Sequence, residues 1–135
     1  MRAVALLLIG FLAFIPAARA GDDVAAAQNV IRSQEQAFGR DDAPTAYSFA
    51  APAIRQLFPR PEIFMDMVQN SYAPVYRHKS FEFGEARTEG NWVAQRVHIV
   101  DANGELWEAL YTLEQQGDGS FKITGCSLLK AGEAV

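Results

Sequence analysis

The apolar positions of this chain change period twice, and each change marks a different kind of segment. Ala3 to Ile15 (AVALLLIGFLAFI) is an unbroken apolar run, preceded by Met1-Arg2 and ended by Pro16. From Asp22 to Phe38 the apolar residues recur at Val24, Ala27, Ile31 and Phe38, with Gln34 the one polar member of the stripe. That spacing predicts an amphipathic helix. Gly39 is a suitable stop, and Asp42 followed by Pro44 opens a second short helix through Ala50, which Pro52 interrupts. After Pro59 and Pro61, Glu62 to Tyr72 restarts the helical period with Phe64, Met67, Val68 and Ser71 on one side. Core packing is the default meaning of such a stripe; Met and Phe at this spacing also suit a ligand groove.

From Ser80 onward the period is two. Phe81 and Phe83 alternate, then Val93 to Ile99, then Trp107 to Leu113, then Phe121 with Ile123. Turn-forming clusters separate these runs at Glu89-Gly90-Asn91, Asp101-Ala102-Asn103-Gly104 and Gly117-Asp118-Gly119. Helices first and a four-stranded antiparallel meander afterwards predict an α+β fold, with the helices on one face of a curved sheet. Three-residue hairpin loops then set the register. Pairing Asp101 with Glu105 puts Ile99 opposite Trp107, Val97 opposite Ala109 and Gln95 opposite Tyr111. Pairing Gln116 with Ser120 puts Leu113 on Ile123 and Tyr111 on Gly125. Pairing Thr88 with Trp92 puts Phe83 on Val97 and Glu85 on Gln95. This register gathers the large apolar residues on one face, and a one-residue slip scatters them.

That face carries a polar row of Glu85, Gln95, Tyr111 and Gly125, with Ser127 on one side of it and Arg87 on the other. Gly125 beside an aromatic ring leaves room above the sheet. The expected ligand-binding residues are therefore Glu85, Arg87, Gln95, Trp107, Tyr111 and Ser127, beside the aromatic side chains of Phe81, Phe83 and Phe121. A carboxylate on an apolar face has the raised pKa of a general base, so Glu85 is also the candidate base, with Tyr111 and Gln95 donating to a developing oxyanion. The structural alternative is an Arg87–Glu85 ion pair at a wet end of the sheet. The opposite face carries Ala94, Val100, Leu106, Leu110, Cys126 and Leu128 among Arg96, His98, Glu108 and Lys122, an apolar patch suited to pairing two copies into a homodimer.

The N-terminal run is too short to span a bilayer, which takes roughly 20 apolar residues. Its positive start, apolar centre and Ala18-Arg19-Ala20 end form a secretory signal peptide cleaved after Ala20. The expected location is the periplasm or the medium, with residues 21–135 as one domain. Of the 12 bases, Arg2 and Arg19 fall in the leader, leaving 10 against 16 acids, a net charge of −6. Such a chain has no electrostatic reason to hold nucleic acid or an anionic membrane. Cys126 stands alone, so no internal disulfide forms, and its default role is a small buried apolar side chain. His78 and His98 have no Cys or carboxylate at metal-ligand spacing, and no G-x-S-x-G, P-loop or G-x-G-x-x-G occurs. No metal and no cofactor are implied.

The stretches Ala37-Phe38-x-x-Asp41-Asp42, Phe49-Ala50-x-Pro52-x-Ile54 and Phe64-x-x-Met67-Val68 resemble the bacterial domain-of-unknown-function family 4864. So do Tyr72-x-Pro74-Val75-Tyr76-Arg77, Gly104-x-Leu106-Trp107-x-Ala109-Leu110-Tyr111 and Ile123-x-Gly125-Cys126-x-Leu128. Phe121 stands where the family pattern has Trp. The resemblance implies a place in the nuclear-transport-factor-2-like (cystatin-like) superfamily, in which helices cover a curved sheet and often enclose a pocket. It implies no particular activity, since one fold hosts many functions. The leading expectation is a binding or accessory domain for a small, partly apolar molecule. The alternatives are a ketosteroid-isomerase or dehydratase-like enzyme using Glu85 and Tyr111, and a homodimeric interaction protein.

Overall fold

A computed structural model describes residues 17–131. Among them α1 (Ala17–Gly39), α2 (Ala43–Ser48), α3 (Pro52–Leu57), α4 (Pro61–Ser71) and α5 (Ala73–Tyr76) precede β1 (His78–Glu89), β2 (Trp92–Asp101), β3 (Leu106–Gln115) and β4 (Phe121–Lys130). The strands form one antiparallel sheet in the order β1-β2-β3-β4, with the helices on one face, the α+β arrangement expected. The apolar run Ala3–Ile15 lies outside the described residues, and Ala20 falls in the first turn of α1. No helix among the described residues is long and apolar enough to cross a membrane.

Each helix has a local cause. α1 buries Ala27, Ile31, Gln34 and Phe38, whose spacing keeps them on one stripe against the sheet. Asp42 caps α2 by accepting a hydrogen bond from the Thr45 N–H at 3.2 Å, with Pro44 in the first turn. Pro52 was expected to interrupt a helix and instead opens α3; Pro61 opens α4 in the same way. Proline at a first turn loses no hydrogen bond and arrives with its φ already helical. The single turn α5 has no periodicity long enough to announce it.

Two of the three expected hairpins are present. Asp101 N–H donates to Glu105 O at 2.9 Å and Gln116 N–H to Ser120 O at 2.7 Å, with Gly104 (φ +84°) and Gly119 (φ +87°) in the left-handed position. Ile99 accordingly meets Trp107, Gln95 meets Tyr111, and Leu113 meets Ile123. The first hairpin differs. Its loop is the two residues Gly90 and Asn91, so Glu89 pairs with Trp92 and Thr88 with Val93.

The register shifts at three places, around Lys79 and Gly84 in β1 and at Thr124 in β4, and the last two alter the expected site. Phe83 still pairs with Val97, but the next pair is Ala86 with Gln95, so Gly84 and Glu85 together oppose Arg96. The expected Glu85–Gln95 pair is absent; Ala86 takes that place, and Arg87 pairs with Ala94 on the outer face. In β4, Thr124 is the extra residue between the Leu113–Ile123 and Thr112–Gly125 pairs. Tyr111 therefore meets Cys126 instead of Gly125. Cys126 and Leu128 turn inward and pack on the core, while Ser127, opposite Leu110, is exposed on the outer face. The outer apolar set loses two members as a result. It keeps Ala94, Val100, Leu106 and Leu110 and gains Leu129, beside the Arg96–Glu108 ion pair (3.0 Å).

Candidate functional site

The inner face of the sheet does not meet the helices everywhere. A cavity of about 390 Å³ lies between them, bounded by α1, α3, α4, α5, Tyr111 of β3 and the bulged part of β4. The linker between α2 and α3 bonds to β4 at Ile123 alone, through Ala51 N–H to Ile123 O and Ile123 N–H to Phe49 O, both 2.8 Å. From Thr124 onward that linker no longer covers the β4 edge, and Thr124, Gly125 and Cys126 border the cavity. The helical wall is the stripe read from the sequence: Phe64, Met67, Val68 and Ser71 all line it. Phe58 joins them because the Tyr47 hydroxyl donates to Phe58 O at 2.6 Å and holds the corner between α3 and α4. Phe38 stacks on Phe64 with ring centres 6.3 Å apart and closes the α1 side.

The floor is polar. Gln34 and Tyr111 are 4% and 2% exposed, whereas Ser71 at the rim is exposed. Gln34 donates its amide hydrogen to Ala46 O at 3.2 Å, and its amide oxygen has no hydrogen-bond partner among the described residues. Tyr111 faces the Cys126 thiol. Burial, then the Cys126 sulfur and the Glu35 carboxylate, hold the Tyr111 phenol well above the ordinary tyrosine range. Burial likewise pushes the Cys126 thiol up to about 12, against a smaller lowering by the Tyr111 hydroxyl. Both groups are thus neutral at physiological pH, and Cys126 is no nucleophile there. No lining residue is Asp, Glu, Lys, Arg or His.

The expected site residues are not brought together. Only Tyr111 lines the cavity. Glu85 is exposed on the bulge, so the apolar surroundings expected of a general base are missing and it shares no cavity with Tyr111. Arg87 and Ser127 are exposed on the outer face. Trp107 is occupied elsewhere, its indole N–H donating to Asp101 Oδ2 at 2.8 Å. Gln95 is fully buried and saturated: its amide nitrogen lies 2.7, 3.0 and 3.3 Å from the carbonyl oxygens of Arg96, Gly84 and Glu85, and its oxygen accepts from Gln28 at 3.0 Å. It clamps the β1 bulge and has nothing left for a ligand.

A second polar cluster lies outside the cavity. Glu35 receives Arg32 at 2.6 Å on one oxygen and His78 Nε2 at 2.8 Å on the other, while His78 Nδ1 lies 2.9 Å from Pro74 O. Both ring nitrogens are thus engaged, and the cluster ties α5 and β1 to α1. Among the described residues no group of three His, Cys, Asp or Glu side chains is placed to hold a metal ion.

Gln34 and Cys126 line the cavity without being among the expected site residues. Gln34 was legible as the one polar break in an apolar stripe; Cys126 was assigned to the wrong face, since nothing marks Thr124 as a bulge. No curated protein and no solved structure matches the chain. The family model described as Domain of unknown function (DUF4864) matches residues 20–134, nearly all of the α+β unit that builds this cavity, and the chain belongs to that family.

Proposed function

We propose that this protein is an exported small-molecule-binding or accessory domain whose ligand occupies the cavity between the helices and β4. The observation that carries the reading is the lining itself: apolar and aromatic walls around a few buried polar groups, at a volume typical of ligand pockets. Export rests on the leader-like N-terminus ending at Ala20 and suits the net charge of −6 on the remaining chain. Placement in the nuclear-transport-factor-2-like superfamily is consistent with helices lying on one face of an open sheet. The test has two arms. Native mass spectrometry of protein recovered from the periplasm should find a co-purifying mass, lost in Val68→Trp, whose indole fills the cavity. Ligand-free protein whose cavity-filled variant binds every added apolar probe as well as the parent does refutes the reading.

A further inference from the structure

Resting on that proposal, the chemistry of the lining restricts what the occupant can be. A charged group taken into the cavity would meet no counter-charge, because no lining residue is ionised. Burying an unpaired charge is prohibitively costly, so the buried part of the ligand is neutral. The walls from Phe38, Phe58, Phe64, Met67 and Val68 offer dispersion and apolar burial only. Of the floor's polar groups, one acceptor and one hydroxyl donor lack a strong partner, beside the second hydrogen of the Gln34 amide. The acceptor is the Gln34 amide oxygen, which has no partner among the described residues in a side chain more than nine-tenths buried. The donor is the Tyr111 hydroxyl, whose neighbour Cys126 is a weak partner and leaves an oxygen acceptor the better one.

A hydroxyl suits both kinds of group, since it donates its own hydrogen and accepts another on its lone pairs. We infer that the cavity binds an uncharged molecule with an apolar, ring-sized body that leads with an alcohol group, the hydroxyl donating to Gln34 Oε1 and accepting from Tyr111 Oη. A hydrocarbon leaves both floor groups unmatched, and a carboxylate repels the Gln34 oxygen. Neither matches the floor as an alcohol does.

The test compares naphthylmethanol, ethylnaphthalene and naphthoate, all substituted at the same ring carbon, by calorimetric titration of the purified protein. The alcohol should bind about tenfold more tightly than the hydrocarbon of the same shape, as expected when two buried hydrogen bonds are made. Naphthoate should bind more weakly than the alcohol. Tyr111→Phe should lower alcohol affinity about fivefold and leave the hydrocarbon within about twofold of the parent. Gln34→Met supplies the same comparison should Tyr111→Phe not fold. Hydrocarbon binding equal to the alcohol, or naphthoate binding tightest, overturns the alcohol assignment while the cavity remains a binding site. Failure of all three to bind overturns the cavity-binding reading itself.

Discussion

Replacing Gln95 with leucine removes an amide of similar bulk from a position that is fully buried. The amide serves the carbonyls of Gly84 (3.0 Å) and Glu85 (3.3 Å), which the bulge turns away from a regular ladder, and that of Arg96 (2.7 Å). A buried carbonyl left without a donor costs about 1–3 kcal/mol, and Gly84 and Glu85 both lose one. The leucine side chain returns about 1–2 kcal/mol through apolar burial. At the midpoints of these ranges the net loss expected for Gln95→Leu is about 2.5 kcal/mol, a large fraction of the roughly 5–15 kcal/mol that holds a domain of this size. Urea unfolding followed by tryptophan fluorescence measures it, with an unchanged denaturant slope showing that the native state stays compact. Deleting Gly84 supplies the decisive background, because it lets Glu85 oppose Arg96 alone while Phe83–Val97 and Ala86–Gln95 stay paired. With the bulge gone, Gln95→Leu should cost less than about 1 kcal/mol, a coupling that a double-mutant cycle isolates. Equal losses in both backgrounds would refute the assignment of Gln95 as the clamp of the bulge.

The other predictions concern the cavity floor and the cluster beside it. With its thiol pushed up to about 12 from an ordinary 9.0, Cys126 should react with Ellman's reagent more than about 100-fold slower in the native protein than in urea; comparable rates would place the thiol in solvent. Above pH 9.0 the unfolded chain releases the Cys126 proton while the folded chain keeps it, so stability should fall from there toward about pH 12. Tyr111, raised further above 10.0, adds to the fall at higher pH. The slope is about 1.4 kcal/mol per pH unit for each group. Urea midpoints across this range check it, and Cys126→Ala should flatten the onset. Glu35→Ala leaves His78 and Arg32 without their shared carboxylate and should cost about 2–3 kcal/mol by the same assay, discounted because Arg32 is partly solvated. A loss no larger than that of Glu82→Ala on the outer face would deny the cluster its bracing role.

The elements that the sequence shows best are those whose signal repeats. The stripe Ala27, Ile31, Gln34, Phe38 and the alternations Val93 to Ile99 and Trp107 to Leu113 each state one preference several times over, and the β2–β3 register follows from them and from Gly104. A bulge states its preference once. Gly84 and Thr124 alter no local alternation strongly enough to be seen, since a bulge shifts phase only for the residues beyond it. Those residues were the ones on which the expected site depended. The slip at Gly84 removed Glu85 and Arg87 from the inner face, and the slip at Thr124 exchanged Gly125 and Ser127 for Cys126 and Leu128.

Polar residues on apolar stripes were the more durable signal, but they have two physical causes that look alike in one dimension. Gln95 sits inside a sheet opposite a strand whose ladder is broken, so local carbonyls claim its amide and leave no atom for a ligand. Gln34 sits on a helix, where the backbone satisfies its own groups and asks little of a side chain. One of its hydrogens reaches Ala46 O, and its oxygen remains at the floor of the cavity. A buried amide on a regular helix is therefore freer to face a cavity than one beside an irregular strand, and in this chain the distinction separates Gln34, which lines the cavity, from Gln95, which the scaffold consumes.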